Sequence, residues 1–190
     1  IDAAHAHASG RLSGMISPSQ IDTCTAGLIQ ASFAEAKKRK LPFQIHAAQS
    51  VVEFHEMTRR HGMTPVEWLG SLGVLSDRSL IGHGIFLDHH TSAHWPRRDD
   101  IQDLVDSGTT VAHCPTVFQR RGITLQTFGE YVRRGVNMAI GTDTYPHNMI
   151  EEMRHVAIMS RVVGEDCYDV RSTDVFNAAT LGGAKALGRK

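Results

Sequence analysis

Cysteine is scarce in this chain. Cys24, Cys114 and Cys167 are the three in 190 residues, odd in number, widely spaced and without a Cys-x-x-Cys pair. That excludes a disulfide framework or a cysteine-rich zinc knuckle, and it suits reduced thiols in the cytoplasm. An excess of charge is lacking too, since 20 Lys and Arg balance 20 Asp and Glu. Nothing in that balance draws the chain to nucleic acid, an acidic polymer or an anionic membrane surface. There is no apolar run of about eighteen residues to span a membrane. No charged-then-apolar leader is visible, the first residue being Ile1 rather than methionine. The Gly-rich turns G-x-G-x-x-G and G-x-x-x-x-G-K are absent, which counts against a doubly wound nucleotide-binding sheet.

What is present is an ordinary globular composition with one surplus. Hydrophobic residues make up 41% of the chain, enough for one sizeable core, and histidine occurs twelve times. Histidine is the commonest metal ligand but is also at home on surfaces, so position must decide. The most informative stretch is Ala139-Ile140-Gly141-Thr142-Asp143-Thr144, a short apolar run that stops at Gly-Thr-Asp, with a helix expected from Met149. In a parallel α/β fold, ligands and metals sit at the carboxyl ends of the strands, so Asp143 is presented to a site. A helix cap is the alternative role for Asp143, but Asn148 is better placed for it.

Three upstream segments repeat this pattern with a histidine. Pro42 to His46, Ser79 to Gly84 and Thr109 to His113 are strand-like runs closing on His46, His83 and His113. A strand tail is also expected at Gly14 to Pro18. Between these lie amphipathic helices: one capped by Ser19 or Asp22 and running to Lys40, then Val51 to His61, Thr64 to Gly73, Asp99 to Ser107, Leu125 to Arg134, Met149 to Val162 and Asp174 to Leu187. Thr64-Pro65-Val66-Glu67 carries three helix-start signals at once, and Gly62 and Gly135 read as C-terminal stops. Strand, loop and helix recur every 25 to 35 residues or so, the βα signature of a parallel sheet. If such strands close into a barrel, His46, His83, His113 and Asp143 ring one mouth of it.

The remaining histidines are read more plainly. His5-x-His7 could set two imidazoles on one strand face, yet its flanks are Ala and Ser-Gly, so a surface helix end or loop is expected. His89, His90 and His94 fall in the loop Leu87 to Pro96 and read as exposed loop residues or a substrate-contacting lid. Trp95 in the same loop is a candidate to stack on a flat ring. His55, His61 and His155 lie on helices and read as surface residues. Cys114 is expected to be small, buried and inert.

The segments Phe43-Gln44-Ile45-His46-Ala47-Ala48-Gln49-Ser50, Leu80-Ile81-Gly82-His83-Gly84, Val111-Ala112-His113-Cys114-Pro115 and Ile140-Gly141-Thr142-Asp143 resemble, in order and spacing, the fifth to eighth strand motifs of the amidohydrolase superfamily. The likeness is to its cytosine deaminase, guanine deaminase and s-triazine hydrolase branch. It runs from about Gly14 to Leu187 and includes Thr64 to Leu75, which resembles that branch's linker between strands. The resemblance implies an α/β fold of (β/α)8 TIM-barrel type, with this chain covering roughly strands 4 to 8. It implies one divalent metal, zinc or iron, with His46, His83 and Asp143 as ligands. Asp143 would also serve as base for a metal-activated water, His83 would sit over that water or the substrate, and His113 would line the pocket with Trp95. The partner implied is a small-molecule heterocycle, with no nucleic acid or membrane; a homo-oligomer is left open.

Two departures accompany the resemblance. The branch carries a glutamate three residues after its strand-five histidine, where it protonates a ring nitrogen; here Gln49 stands, which can donate a hydrogen bond but cannot shuttle a proton. Glu53 is the alternative acid, about one helical turn beyond. The family's first-strand His-x-His pair has no counterpart, and a barrel of this kind needs about 250 residues. Residues 1–190 are therefore expected to form a single partial barrel domain, without the first-strand region or a terminal β-sandwich, and unstable or inactive by themselves. The function expected is hydrolysis at a C–N bond of a nitrogen heterocycle. The alternatives are hydrolytic removal of another ring substituent such as halide, and a catalytically inactive scaffold. The zinc deaminases with P-C-x-x-C are excluded, because Cys114-Pro115 has no second cysteine nearby.

Overall fold

The computed structural model describes residues 1–96 and 99–189. In chain order it contains α1 (Asp2–His5), α2 (Ala26–Arg39), β1 (Phe43–Ala47), α3 (Val51–His61), α4 (Pro65–Ser71), β2 (Ser79–His83), α5 (Asp100–Ser107), β3 (Thr110–His113), α6 (Pro115–Gln119), α7 (Phe128–Arg134), β4 (Asn137–Ile140), α8 (Met149–Gly164) and α9 (Ser172–Asn177). A π-helical turn (Ala178–Gly182) and α10 (Gly183–Ala186) complete it. The four strands form one sheet in the order β1-β2-β3-β4, every pair parallel. Each crossover carries at least one helix, as parallel pairing requires.

The strand expected near residue 14 is present only as two isolated bridges, Ile16 to Phe43 and Gln20 to His46, both parallel to β1. Ile16 donates to the Pro42 carbonyl and receives from Gln44 N–H, but Pro18 lies between the bridges and has no N–H to give. The segment thus lies along the edge of β1 without becoming a ladder. The next helix starts later than expected. Thr25, not Ser19 or Asp22, is its cap, accepting from Leu28 N–H at 3.2 Å, because Gln20 to Thr25 is spent on turns above the sheet edge.

Two further boundaries move. The helix expected from Leu125 begins at Phe128, where Thr127 takes up the extended cap conformation and accepts from Glu130 N–H. The helix expected over Asp174 to Leu187 is divided by the π-helical turn. Its small residues let it lie against β4; a Cβ at Gly182 would fall 1.9 Å from the Met138 carbonyl oxygen. Helix α6 was not expected at all, although Pro115 at its first turn is a start signal.

The two faces of the sheet differ in chemistry. Phe43, Ile45, Ala47, Ile81, Val111, Met138 and Ile140 are buried against the helices and form the core with Ile29, Phe54, Leu69, Leu104, Tyr131 and Val156. In register on the opposite face are His46, Gly82, Ala112 and Ala139. These are small apart from the histidine, and Gly82 makes its room: a Cβ there would lie 3.1 Å from His46 Cδ2. The sheet therefore buries a hydrocarbon face against the helices and carries His46 beside small residues on the other.

The fit at Gly182 gives a stability test. Gly182→Ala is expected to cost about 2–4 kcal/mol, because backbone rather than a flexible side chain must move. Gly183→Ala, where a Cβ meets nothing within 4 Å, should stay within about 0.5 kcal/mol. Denaturant melts of the two variants check this, and equal midpoints would contradict the packing described.

Candidate active site

The parallel strands deliver their ends to one edge, and the chain leaves them abruptly. Ala48, just past β1, has φ 56°; His83, the last residue of β2, has φ 83°; Asp143, three residues past β4, has φ 48°. None is glycine, so three of the four βα junctions, those after β1, β2 and β4, hold L-residues in the sparsely populated left-handed region. Such conformations cost roughly 1–3 kcal/mol each and collect where side chains must be aimed.

What they aim is a group of imidazoles and a carboxylate. His46 and His83 stack with ring centroids 5.3 Å apart and planes inclined by 25°. His83 Nε2 lies 3.9 Å from Asp143 Oδ2, with the imidazole 4% and the carboxylate 43% exposed. Phe118 from α6 meets the His83 ring edge-on at 4.6 Å. His113, buried at the end of β3, packs near Phe128.

Burial keeps the imidazoles of His83 and His113 neutral. Burial pushes His83 down to about 4, although the Asp143 carboxylate pulls the other way. Burial, reinforced by His83, pushes His113 down to about 3. A neutral imidazole retains a lone pair, the state a metal ligand requires. Cys114, beside them, is pushed up to about 12 by burial and by Asp143 and Glu152, so its thiol is inert.

His46 shows the strongest sign of a ligand. Its Nδ1 is 2.8 Å from the Ser19 carbonyl. A carbonyl can only accept, so Nδ1 carries the proton and Nε2 keeps its lone pair, the outer-sphere arrangement typical of metal-bound histidine. The Nδ1 atoms of His83 and His113 are buried without a hydrogen-bond partner. Two imidazoles and a carboxylate suit a borderline ion such as zinc. Among the described residues, however, no three His, Cys, Asp or Glu side chains are close enough to hold a metal ion by themselves. The donors fit part of a coordination shell.

Gln49 is half-buried on the junction after β1. Glu53 is 2% exposed and turned to the backbone, accepting from the amides of Ala48 and Gln49. It thus braces the junction from behind. Burial pushes it up to about 8, against the pull of those hydrogen bonds. Trp95 lies edge-to-face on Phe54 at 6.0 Å, and no ring contact among the described residues joins it to the His46, His83 and His113 group. His89 departs from the expected exposed loop position: its imidazole is 9% exposed, between Asp88 and Glu130. His94 is exposed.

Two supporting groups were missed from the sequence. Ser19 acts through its backbone carbonyl, which leaves no trace in residue type. Glu152, buried on α8, accepts from Thr116 N–H at 3.0 Å and anchors α6 beneath the pocket. The signal for it was a charged residue on the apolar stripe with Met149, Val156 and Met153.

The amidohydrolase family model matches residues 1–190. A 5'-deoxyadenosine deaminase of Methanothermobacter thermautotrophicus is 32% identical over 188 residues, 97% of this chain and 42% of that protein. A 5-methylthioadenosine/S-adenosylhomocysteine deaminase of Pyrococcus abyssi is 28% identical over 96% of this chain and 42% of its own length. Among solved structures, an adenosine deaminase from Xanthomonas campestris with bound zinc superposes with a TM-score of 0.83 at 26% identity, covering 98% of this chain and 41% of that one. A mutant atrazine chlorohydrolase from Arthrobacter aurescens TC1, complexed with zinc and atraton, gives 0.84 at 22% identity over 99% and 41%. The chain thus spans about two fifths of the length of the relatives it matches.

Glu53 generates a pH prediction. The folded state keeps the Glu53 proton up to about 8, whereas the unfolded chain loses it near 4.5. The folded state therefore binds more protons across that window, and this residue's contribution to stability falls as pH rises through it. Glu53→Gln should flatten that part of the stability profile, measured as denaturation midpoint against pH; an unchanged slope would contradict the assignment.

Proposed function

Because the chain belongs to the amidohydrolase family, we propose that it carries the carboxyl-end half of a metal-dependent hydrolase centre that acts on the ring of a nitrogen heterocycle. The observation that carries this is the pairing of His46, with Nε2 free and Nδ1 fixed on Ser19, with His83 and Asp143 across one strand-end edge. In this reading residues 1–190 form one partial (β/α)8 domain.

His46, His83 and Asp143 would hold part of the coordination shell of a divalent ion. When bound there, that ion, zinc before iron, would supply an activated water. Asp143, the most solvent-open of the three, would take a proton at its carboxylate and release it to the departing group. His83, held neutral by burial, offers a ring nitrogen toward Asp143 and orients the attacking oxygen against the ring carbon. Buried His113 and Phe118 wall the site against bulk water, which strengthens each of these interactions.

The reaction favoured is deamination, with an aminopurine nucleoside as substrate class. The support is that relatives named as adenosine-type deaminases are similar over nearly the whole of this chain. Gln49 favours a second reading, loss of a substituent such as halide. It can donate a hydrogen bond to a ring nitrogen but delivers no proton, and halide leaves without one.

The two reactions separate in one experiment on the whole zinc-loaded protein. With aminopurine nucleosides, ammonia release is expected, falling at least about a thousandfold in Asp143→Asn and rising about tenfold or more in Gln49→Glu, which restores an acid. Ammonia release unaffected by Asp143→Asn would contradict the reading. Halide release from chlorotriazines without ammonia release would favour the second reaction.

A further inference from the structure

Beneath β2 lies a buried hydroxyl that the proposed chemistry does not use. Tyr131, on α7, is fully buried in the core, and its ring could be a phenylalanine as far as packing is concerned. Its O–H nonetheless has a partner, the Gly84 carbonyl at 2.8 Å, 47 residues away in sequence. Gly84 is the residue after His83.

The peptide units on either side of Gly84 carry the strain of this junction. His83 and Gly84 are both left-handed, with φ 83° and 54°, a region that a non-glycine residue such as His83 rarely adopts. Gly84 N–H is tied to the Ala47 carbonyl at 3.1 Å, and Ile85 N–H to the Ala48 carbonyl at 2.8 Å. Any larger residue at 84 is barred, because a Cβ would fall 2.8 Å from Val111 Cγ1. The β1 junction thus holds the amide side of the turn, and Tyr131 holds the carbonyl side. Burial of the phenol raises its pKa well above 10, so it remains a donor at all working pH values. The His89 ring meets Tyr131 at 5.7 Å and closes that side of the pocket.

We propose that Tyr131 is the positioning residue for His83: its hydroxyl pins the Gly84 carbonyl, holds the left-handed His83–Gly84 pair, and so fixes the imidazole that faces Asp143 and stacks on His46. The proposal rests on the functional reading above for the purpose of the positioning, but the geometric link from Tyr131 to the His83 ring can be tested without turnover.

The test uses the whole protein and Tyr131→Phe. In metal-free protein labelled with 15N-histidine, the His83 ring signal, identified by its loss in His83→Asn, should shift in Tyr131→Phe while that of exposed His94 stays in place. In zinc-loaded protein, kcat should fall about tenfold with KM within about twofold. An unmoved His83 signal overturns the proposal whatever the activity. A shifted His83 signal in a protein without metal-dependent turnover supports the positioning link and sinks the functional reading alone. If Tyr131→Phe does not fold, 3-fluorotyrosine at 131 keeps the ring and makes the hydroxyl a stronger donor; a shift at His83 supports the proposal and none overturns it.

Discussion

A parallel sheet has one edge at which every strand must end, and this chain's structure depends on how it leaves that edge. Each exit has to turn sharply, satisfy buried peptide groups and still point a side chain at a common spot. Three of the exits do so through left-handed residues that are not glycine, Ala48, His83 and Asp143. The cost is offset by hydrogen bonds that cross between units: Glu53 takes the amides after β1, Ala47 and Ala48 take the amides after β2, and His113 takes the Gly141 amide after β4. The site is the by-product of these exits, because the same turns that end the strands aim the imidazoles and the carboxylate.

Burial then sets the chemistry. Neutral histidines and a solvent-open carboxylate arise from one gradient, with His113 and His83 inside and Asp143 at the rim. Gly82, on the face that carries His46, leaves the space that this imidazole occupies, since a Cβ there would fall 3.1 Å from His46 Cδ2. The helix-facing side has no such freedom, since its residues are the core.

Much of this was legible in the sequence because the pattern is carried by residue type. Short apolar runs closing on His46, His83, His113 and Asp143, at βα spacing, sufficed for the parallel sheet and for the edge where the site lies. The losses have physical causes. Pro18 reduces an expected strand to two bridges, and Thr25 rather than Ser19 or Asp22 starts the helix, because competing turn chemistry is decided by tertiary contact. His89 looked like a loop residue but is enclosed by Asp88 and Glu130. Glu53 seemed a replacement acid, whereas its carboxyl is bound to backbone amides. The Ser19 carbonyl could not be foreseen, since a backbone contact has no signature.

As a proposed metal ligand, His46 has its free nitrogen oriented by the Ser19 carbonyl. Elemental analysis of the whole protein, wild type against His46→Ala, purified under conditions that do not strip metal, tests that role. About one zinc or iron per chain is expected in the wild type, lost in His46→Ala while the fold persists. A wild type without metal, or a variant that retains it in full, would rule out His46 as a ligand.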